Sequence, residues 1–339
     1  MKNNSLSEIA EKFIDANNIL FYPHVGIDGD ALGSSIAMII ALRKLGKTCY
    51  ALYDEEMPIN LSFMLKTNNE MYVTDDTNII SDKDLDISCA IDNGSYQRFE
   101  HFEEKFKKAK LTVCLDHHST SNAICNLNYI DPERSACGEI VFYFLKELDK
   151  LSGGKILPDI DIANAIFASI TTDTGNFQFS NTTKDAHLII AEMMDWGFKA
   201  NPISNEIYEN QSLSKIKAEN LAISRMELLA NGKVAVSYIS KEELDELGVK
   251  AGETDPIVKT LRSISGVEYA AFVKEKEVGE VRVSYRAKTD GCDISGIAKS
   301  HNGGGHKKAA GATLNMPLKE AYEITKKDLV DLANEGRNN

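Results

Sequence analysis

Asp116, His117 and His118 follow one another directly after the apolar, β-branched run Leu111-Thr-Val-Cys-Leu115. A carboxylate and two imidazoles delivered together at a strand end can bind a hard-to-borderline metal and orient a proton or a phosphate. Taken alone, the same residues also fit a turn with two solvated histidines. A second group is His24-Val-Gly-Ile-Asp28-Gly-Asp30, three ligand-type side chains within seven residues. Gly26 and Gly29 let the backbone fold closely around them. Asp28 and Asp30 suit an Asx turn and a helix cap as well. Asp92 and Asp173 each follow an apolar segment and precede a small-residue turn, which singly is ordinary capping behaviour. Together, these carboxylates and two or three histidines in one half of the chain exceed the needs of a single ion. Carboxylate with imidazole suits Mn²⁺, Fe²⁺ or Co²⁺, and admits Zn²⁺, whereas Mg²⁺ usually keeps more water. Two ions about 3.5–4 Å apart can share a carboxylate, activate water and stabilise phosphoryl charge during in-line attack. The chemistry indicated is phosphoester hydrolysis.

Positioning these groups falls to alternating strands and helices. Ser5 and Glu8 form a capping box before a helix carrying Ile9, Phe13 and Ile14. Strands are expected at Ile19 to Tyr22, Thr48 to Tyr53, Ile87 to Ile91 and Leu111 to Leu115. A helix with Leu32, Ile36, Ile39, Ile40 and Leu45 follows the first strand and stops at Gly46. Asp131 and Pro132 introduce a helix through Ile140, Phe144, Leu145 and Leu148. Another runs from about Ile160 to Thr171-Thr-Asp173, and a third passes Ile189 to Met194 and stops at Gly197. Lys199-Ala-Asn-Pro202 reads as a break, and the stretch from Ile203 to Leu229 as a polar-rich helical connector. Beyond Asn231-Gly232 the texture changes to strands at Val234 to Ile239, Tyr269 to Lys274 and Val281 to Ala287, the last two joined at Val278-Gly279. The expected fold class is α/β, with a parallel-sheet metal-binding domain over 1–198, a helical linker over 199–231 and a smaller α+β domain over 232–335. Parallel sheets put ligand sites beyond the carboxyl ends of their strands, where His24, Asp28, Asp30, Asp92 and Asp116 to His118 fall.

Length, composition and charge narrow the function class. At 339 residues two domains are expected, and 43% hydrophobic with 26% charged residues describes an ordinary globular protein. A net charge of −13 argues against gripping long nucleic acid through its backbone, which needs a broad basic surface. It does not exclude short nucleotides, because a metal site attracts phosphate locally. The N-terminus lacks an apolar targeting run and no segment approaches membrane-spanning length, so a cytoplasmic protein without membrane contact is expected. Six cysteines fall singly and read as reduced core residues.

In this order and at these separations, His24-x-x-x-Asp28-x-Asp30, Asp92, Asp116-His117-His118 and Asp173 resemble the DHH phosphoesterase superfamily. Gly303-Gly-Gly-His306-Lys-Lys-Ala309-Ala-Gly311 resembles the glycine-rich signature of the superfamily's associated C-terminal domain. The two-domain length is similar to the bacterial nanoRNase and pAp phosphatase group, including stand-alone phosphodiesterases of cyclic di-AMP and pApA. By that resemblance His24 and Asp28 hold a first metal, Asp30, His117 and Asp173 a second, and Asp92 bridges both. The metals implied are two Mn²⁺, with Co²⁺ or Mg²⁺ as substitutes. Asp92, Asp116 and His118 form the implied catalytic set, His118 facing the scissile phosphate and Asp116 orienting the ligands from behind. The nucleophile is inferred to be a metal-held hydroxide, so no side-chain nucleophile is required.

Gly303, Gly304 and Gly305 let backbone N–H groups approach a phosphate or base without Cβ obstruction, and His306 adds a directional donor. A flexible turn between strands is the plainer reading. In the preceding strand Arg282, Ser284 and Arg286 share one face, making Arg286 a candidate phosphate clamp. Two departures from the family pattern stand out: Asn302 precedes three glycines where relatives often have four, and Cys137 stands where Thr is common. The implied activity is hydrolysis of pApA, nanoRNA and cyclic di-AMP to mononucleotides, with substrate between the two domains. A pAp 3′-phosphatase is the alternative, and a non-catalytic nucleotide sensor a more distant one. The implied partner is a small nucleotide or short oligoribonucleotide rather than long nucleic acid; a homodimer is kept open.

Overall fold

In the computed structural model, which describes residues 3–335 apart from positions 70, 251 and 290, the first unit extends to Asn210 and the second begins at Gln211. The first contains α1 (Leu6–Asp15), β1 (Asn18–Tyr22), α2 (Gly29–Lys44), β2 (Thr48–Leu52), β3 (Val73–Thr74), β4 (Ile87–Ile91), α3 (Glu103–Phe106), β5 (Leu111–Asp116), β6 (Leu127–Ile130), α4 (Cys137–Ser152), α5 (Ile160–Asp173), α6 (Lys184–Asp195) and α7 (Ala200–Tyr208). Its six strands pair in parallel in the order β3-β2-β1-β4-β5-β6. The strand order reverses between β1 and β4, and the carboxyl side of that switch point is where open α/β sheets bind ligands.

β1, β4 and β5 are apolar almost throughout because both faces of the sheet are covered. Ile19 and Phe21 pack among α1, α2, α4 and α5, whereas Leu20 and Tyr22 face the opposite way onto Phe99, Phe102 and Phe106. Small residues let the helices of the first face close together. A Cβ at Gly33 of α2 would lie 2.4 Å from the Ala165 carbonyl oxygen of α5, and one at Gly138 of α4 would lie 1.9 Å from Ser169 Oγ. The backbones of α2, α4 and α5 therefore meet where glycine permits it.

Three local expectations are corrected. Ser5 accepts from the Glu8 amide at 3.1 Å, but the Glu8 carboxylate binds Asn4 instead of reaching back, so the capping box is only half formed. α4 begins at Cys137, because Asp131-Pro132-Glu133 closes a turn in which Asp131 accepts from the Glu133 and Arg134 amides. Pro202 does not break the chain: it sits in the first turn of α7, where its missing N–H has no helical partner to lose.

The second unit comprises α8 (Leu213–Ser224), β7 (Glu227–Leu229), β8 (Val234–Ile239), α9 (Lys241–Leu247), α10 (Ile257–Ser263), β9 (Tyr269–Glu277), β10 (Glu280–Ala287), α11 (Ser295–Ser300), β11 (Gly304–His306), β12 (Ala309–Leu314) and α12 (Leu318–Glu335). Residues 203–229 thus form two helices and a strand rather than one helical run; Tyr208 of α7 donates to the Thr171 carbonyl at 2.7 Å, tying that helix to the first unit. The sheet order is β11-β12-β10-β9-β8-β7, antiparallel except where β8 pairs with β9. α12 covers one face over Val236, Ala271, Val283 and Tyr285. On the other face α8, α9 and α10 bury Ala235, Ile239, Ala270 and Phe272 of β8 and β9. The β10 stretch of that second face carries Arg282, Ser284 and Arg286 instead. Among the described residues no helix is long and apolar enough to cross a membrane.

Candidate metal centre

The site is assembled just past the carboxyl ends of β1, β4 and β5. Asp28 caps α2, its Oδ1 accepting from the amides of Asp30 and Ala31 at 3.0 Å each. That cap leaves Oδ2 available to His24. Asp92 adopts the left-handed backbone region, with φ 58°, which Asp tolerates better than most residues. Its amide donates to the Leu115 carbonyl at 2.9 Å, joining the end of β4 to the end of β5.

Two donor sets result, and they meet at Asp92. His24 Nε2 lies 3.6 Å from Asp28 Oδ2 and 3.4 Å from Asp92 Oδ2. His117 Nε2 lies 3.5 Å from Asp30 Oδ2, 3.5 Å from Asp92 Oδ1 and 3.6 Å from Asp173 Oδ2. His24, Asp28 and Asp92 have ligand atoms within 4.8 Å of one another, as do Asp30, His117 and Asp173, and Asp92, His117 and His118. The imidazole orientations bear on what would fill the space. His24 Nδ1 sits 2.8 Å from the Val25 carbonyl, and His117 Nδ1 3.1 Å from the Arg134 carbonyl. A carbonyl only accepts, so Nδ1 carries the proton and Nε2 is the nitrogen turned toward the carboxylates.

Asp92 Oδ1 and His117 Nε2 are buried with no hydrogen-bond partner among the described residues. Unpaired buried polar atoms are costly, and here they are held amid carboxylates, so protons or cations must fill the gap. The titration of the side chains expresses the same demand. Burial opposes charge on His24, but Asp28 and Asp92 outweigh it and carry the imidazole up to about 10. Burial also works against the Asp28 carboxylate, and His24 more than offsets it, taking Asp28 down to about 2. Asp173 is pushed up to about 7 by burial and by Asp30. Burial and then Asp30 hold Asp92 well above the usual carboxylate range. Oxygen and imidazole donors of this kind fit divalent ions of intermediate hardness.

Asp30 is fully buried and held by groups that the sequence does not advertise. Its Oδ1 accepts from Ser34 Oγ at 3.1 Å, Ser169 Oγ at 2.5 Å and the Gly138 amide at 3.1 Å, and its Oδ2 accepts from the Cys137 amide at 2.7 Å. Ser34 stands four residues after Asp30, a helical spacing that could have flagged it; Ser169 and the α4 amides become visible only with the helix packing. The Cys137 departure is explained, because the backbone rather than the side chain serves Asp30. Asp116 accepts from the His118 amide at 3.1 Å and from His118 Nδ1 at 2.7 Å. Asn181 donates to Asp173 Oδ2 at 3.4 Å.

In the second unit the structure alters the expectation for the glycine run. It is a β-hairpin, β11 to β12, rather than a cradling loop. A Cβ at Gly303 would lie 2.2 Å from the Gly311 carbonyl oxygen, and one at Gly305, with φ 135°, would lie 2.5 Å from that of Ala309. Asn302 has φ 55°, a conformation that Asn tolerates, which accounts for its standing in place of glycine. Gly304 and Gly305 line a cavity of about 560 Å³ together with Arg282, Arg286, Lys274 and Lys276. Gly303 and His306 are not among its lining residues; His306 is exposed on β11. Arg286 is half-buried and donates to its neighbour's carbonyl, that of Tyr285, at 2.8 Å. The six cysteines form no disulfide among the described residues, and five of them are buried.

A doubly wound α/β domain with two carboxylate–imidazole sets sharing one aspartate, followed by a mixed-sheet domain with a basic groove, defines a class of two-domain metal-binding protein. Residues 18–170 match the DHH family, N-terminal domain, and residues 231–335 match the DHHA1 domain. The chain therefore carries a DHH domain followed by a DHHA1 domain. It is similar to the bifunctional oligoribonuclease and PAP phosphatase NrnA of Bacillus subtilis (strain 168), 29% identical over 301 residues, 88% of this chain and 90% of that one. A protein of the same description from Thermus thermophilus is also 29% identical, over 88% of this chain and 85% of its own. The crystal structure of an exopolyphosphatase-related protein from Bacteroides fragilis shares the fold, with TM-score 0.86 at 22% identity over 98% of this chain and 97% of that one.

Proposed function

We propose that this protein is a divalent-metal-dependent hydrolase of short nucleotides, cutting pApA and nanoRNA to mononucleotides with Mn²⁺ as the working ion. The observation that carries the proposal is a pair of donor sets, His24, Asp28 and Asp92 beside Asp30, His117 and Asp173, with Asp92 Oδ1 and His117 Nε2 buried and unpartnered 3.5 Å apart between them. His24 and Asp28 would hold one ion, Asp30, His117 and Asp173 the other, and Asp92 both. Bound ions of this kind supply Lewis-acid stabilisation of phosphoryl charge and a water of lowered pKa. The remaining work falls to the chain. Ser34, Ser169 and two α4 amides fix the Asp30 carboxylate, so it needs no reorganisation when substrate arrives. Asp116 takes the Nδ1 proton of His118 as a hydrogen bond and sets that ring's orientation, leaving Nε2 for a phosphoryl or leaving-group oxygen. Arg286 and the β11–β12 hairpin would hold a distal phosphate or base, His306 contributing from the hairpin's exposed side.

The similarity to two proteins described as oligoribonuclease and PAP phosphatase supports short oligoribonucleotides and pAp as substrates. Cyclic di-AMP is a further substrate of the same chemistry. A pAp 3′-phosphatase would use the same residues on a terminal phosphate. The test is turnover of pApA, cyclic di-AMP, pAp and a five-nucleotide RNA, assayed separately with Mn²⁺ and with a chelator. Faster cleavage of pApA or RNA than of pAp supports the phosphodiesterase; dominant pAp turnover makes the phosphatase primary. No metal-dependent turnover of any of them would overturn the proposal in favour of a nucleotide sensor.

A further inference from the structure

We propose that β9, β10 and β12 carry an additional phosphate position at Arg282, Lys274 and Thr313, which extends the nucleotide groove into a track for oligoribonucleotides of three or more residues. The inference rests on the second unit binding nucleotide, as proposed above, and adds a determinant of substrate length.

Along β10, Val281, Val283 and Tyr285 enter the core beneath α12, so Arg282, Ser284 and Arg286 share the opposite face. The register places three rows across that face. Lys274, Arg282 and Thr313 lie directly opposite one another on β9, β10 and β12. Ser284 lies opposite Gly311, which pairs with Gly304, and Arg286 lies opposite Ala309, which pairs with His306. Successive rows are two strand residues apart, about 7 Å. That is close to the step between neighbouring phosphates of an extended single strand. Three rows therefore match three successive phosphates, whereas pAp has phosphates for only two.

Room and charge at the added row support this assignment. A Cβ on Gly311 would come within 2.8 Å of Arg282 Nη2, so the absent side chain is what lets the guanidinium lie across β12. Among the described residues no carboxylate forms an ion pair with Arg282 or Arg286. The acidic residue lining the cavity is Asp255, 3.7 Å from Lys274. Burial and then the nearby Arg262 oppose the charge on Arg286, an environment that an anion would relieve. Arrayed guanidinium and ammonium groups are the recurrent means of following a nucleic-acid backbone.

The experiment is calorimetric titration of the full chain with pentaadenylate and, separately, with pApA, in chelator to prevent hydrolysis and over a series of salt concentrations. For Arg282→Ala, pentaadenylate affinity is expected to fall about tenfold at low salt and the slope of log K against log salt to shrink by about 0.7, the value for one lost contact to a single strand. Affinity for pApA is expected to change less than twofold, and Arg282→Lys to restore most of the slope. Equal losses for both ligands, or no loss for either, would overturn the added row. Salt-dependent pentaadenylate binding that responds to Arg282→Ala in a protein without turnover would sustain this inference while removing the hydrolase proposal. Turnover of pAp without measurable pentaadenylate binding would do the reverse.

Discussion

At the scale of single residues, the first unit concentrates opposing charge preferences around Asp92 and His117. Asp116 holds His118 by its ring nitrogen and amide, so its removal should weaken rather than erase the chemistry. Asp116→Asn is expected to lower metal-dependent turnover about 10–100-fold with the melting curve little changed, as for other groups that orient a metal-site imidazole. The titrating residues also make a prediction about the metal-free protein. Asp173 keeps its proton to about pH 7 when folded, against 3.8 otherwise, so its contribution to stability declines as pH rises between those values. His24, raised from 6.5 to about 10, contributes stability that is complete below pH 6.5 and lost on rising through pH 10. Asp28 acts in the opposite sense, its contribution being present above 3.8 and lost as pH falls toward 2. Between pH 6 and 9 the Asp173 and His24 contributions are both being lost, and Asp92, Asp30 and His117, which are also raised, act in the same sense. In chelator the melting temperature should therefore fall across that range, and saturating Mn²⁺ should shrink the fall because ions replace protons. A melting temperature that climbs with pH in chelator would contradict this account.

At the scale of elements, the centre depends on three helices meeting closely enough for α4 amides and an α5 hydroxyl to reach an α2 carboxylate. Gly33→Ala would drive a methyl into the Ala165 carbonyl and push α2 from α5. A loss of about 1–3 kcal/mol is expected by urea unfolding, with turnover falling further than stability alone explains, because Asp30 moves with its helix. The elements that carry the clustered side chains were legible because each has a clear period and a clear stop. β4 runs over the expected Ile87 to Ile91, and α5 ends at Asp173 as its apolar spacing indicates. Elements held by tertiary pairing were not legible. β3 has two residues and β6 four, too short for alternation to register, and both exist because a parallel neighbour completes their hydrogen bonds. Asp131-Pro132 looks like a helix start since Pro favours a first turn, yet a side-chain-closed turn occupies it. The run beginning at Gly303 reads as a loop because glycine signals turns, whereas here it thins two strands so that their backbones can approach. The gathering of His24, Asp28, Asp30, Asp92 and His117 followed from their places after strands, whereas Asp173 joined them through the family resemblance. The hydroxyls and amides serving Asp30 did not, since backbone donors leave no mark in a sequence.

At the scale of the whole molecule, the two units carry separable tasks under the proposed function. Asp92→Ala is expected to abolish turnover while oligonucleotide binding persists, and His306→Ala to raise KM with kcat nearly unchanged, as for an interaction made equally in ground and transition states. Comparable kcat losses in both variants would argue against that division. The basic groove on β10 is also a local reversal of sign in a chain of net charge −13. Two residues before Arg282, Glu280 lies opposite Glu277 and pairs with Lys276 at 3.0 Å, so the end of the hairpin carries two carboxylates to one ammonium. Attraction along the strand thus gives way to a small carboxylate excess within a few residues, a distance comparable with the screening length of about 8 Å at physiological ionic strength. The sheet behaves as a ruler marked in charge: a nucleotide chain that ends on the groove is held, and one that overhangs meets carboxylates. Added salt should blur the ruler's upper mark, narrowing the difference in affinity between oligonucleotides that fit the groove and those that exceed it.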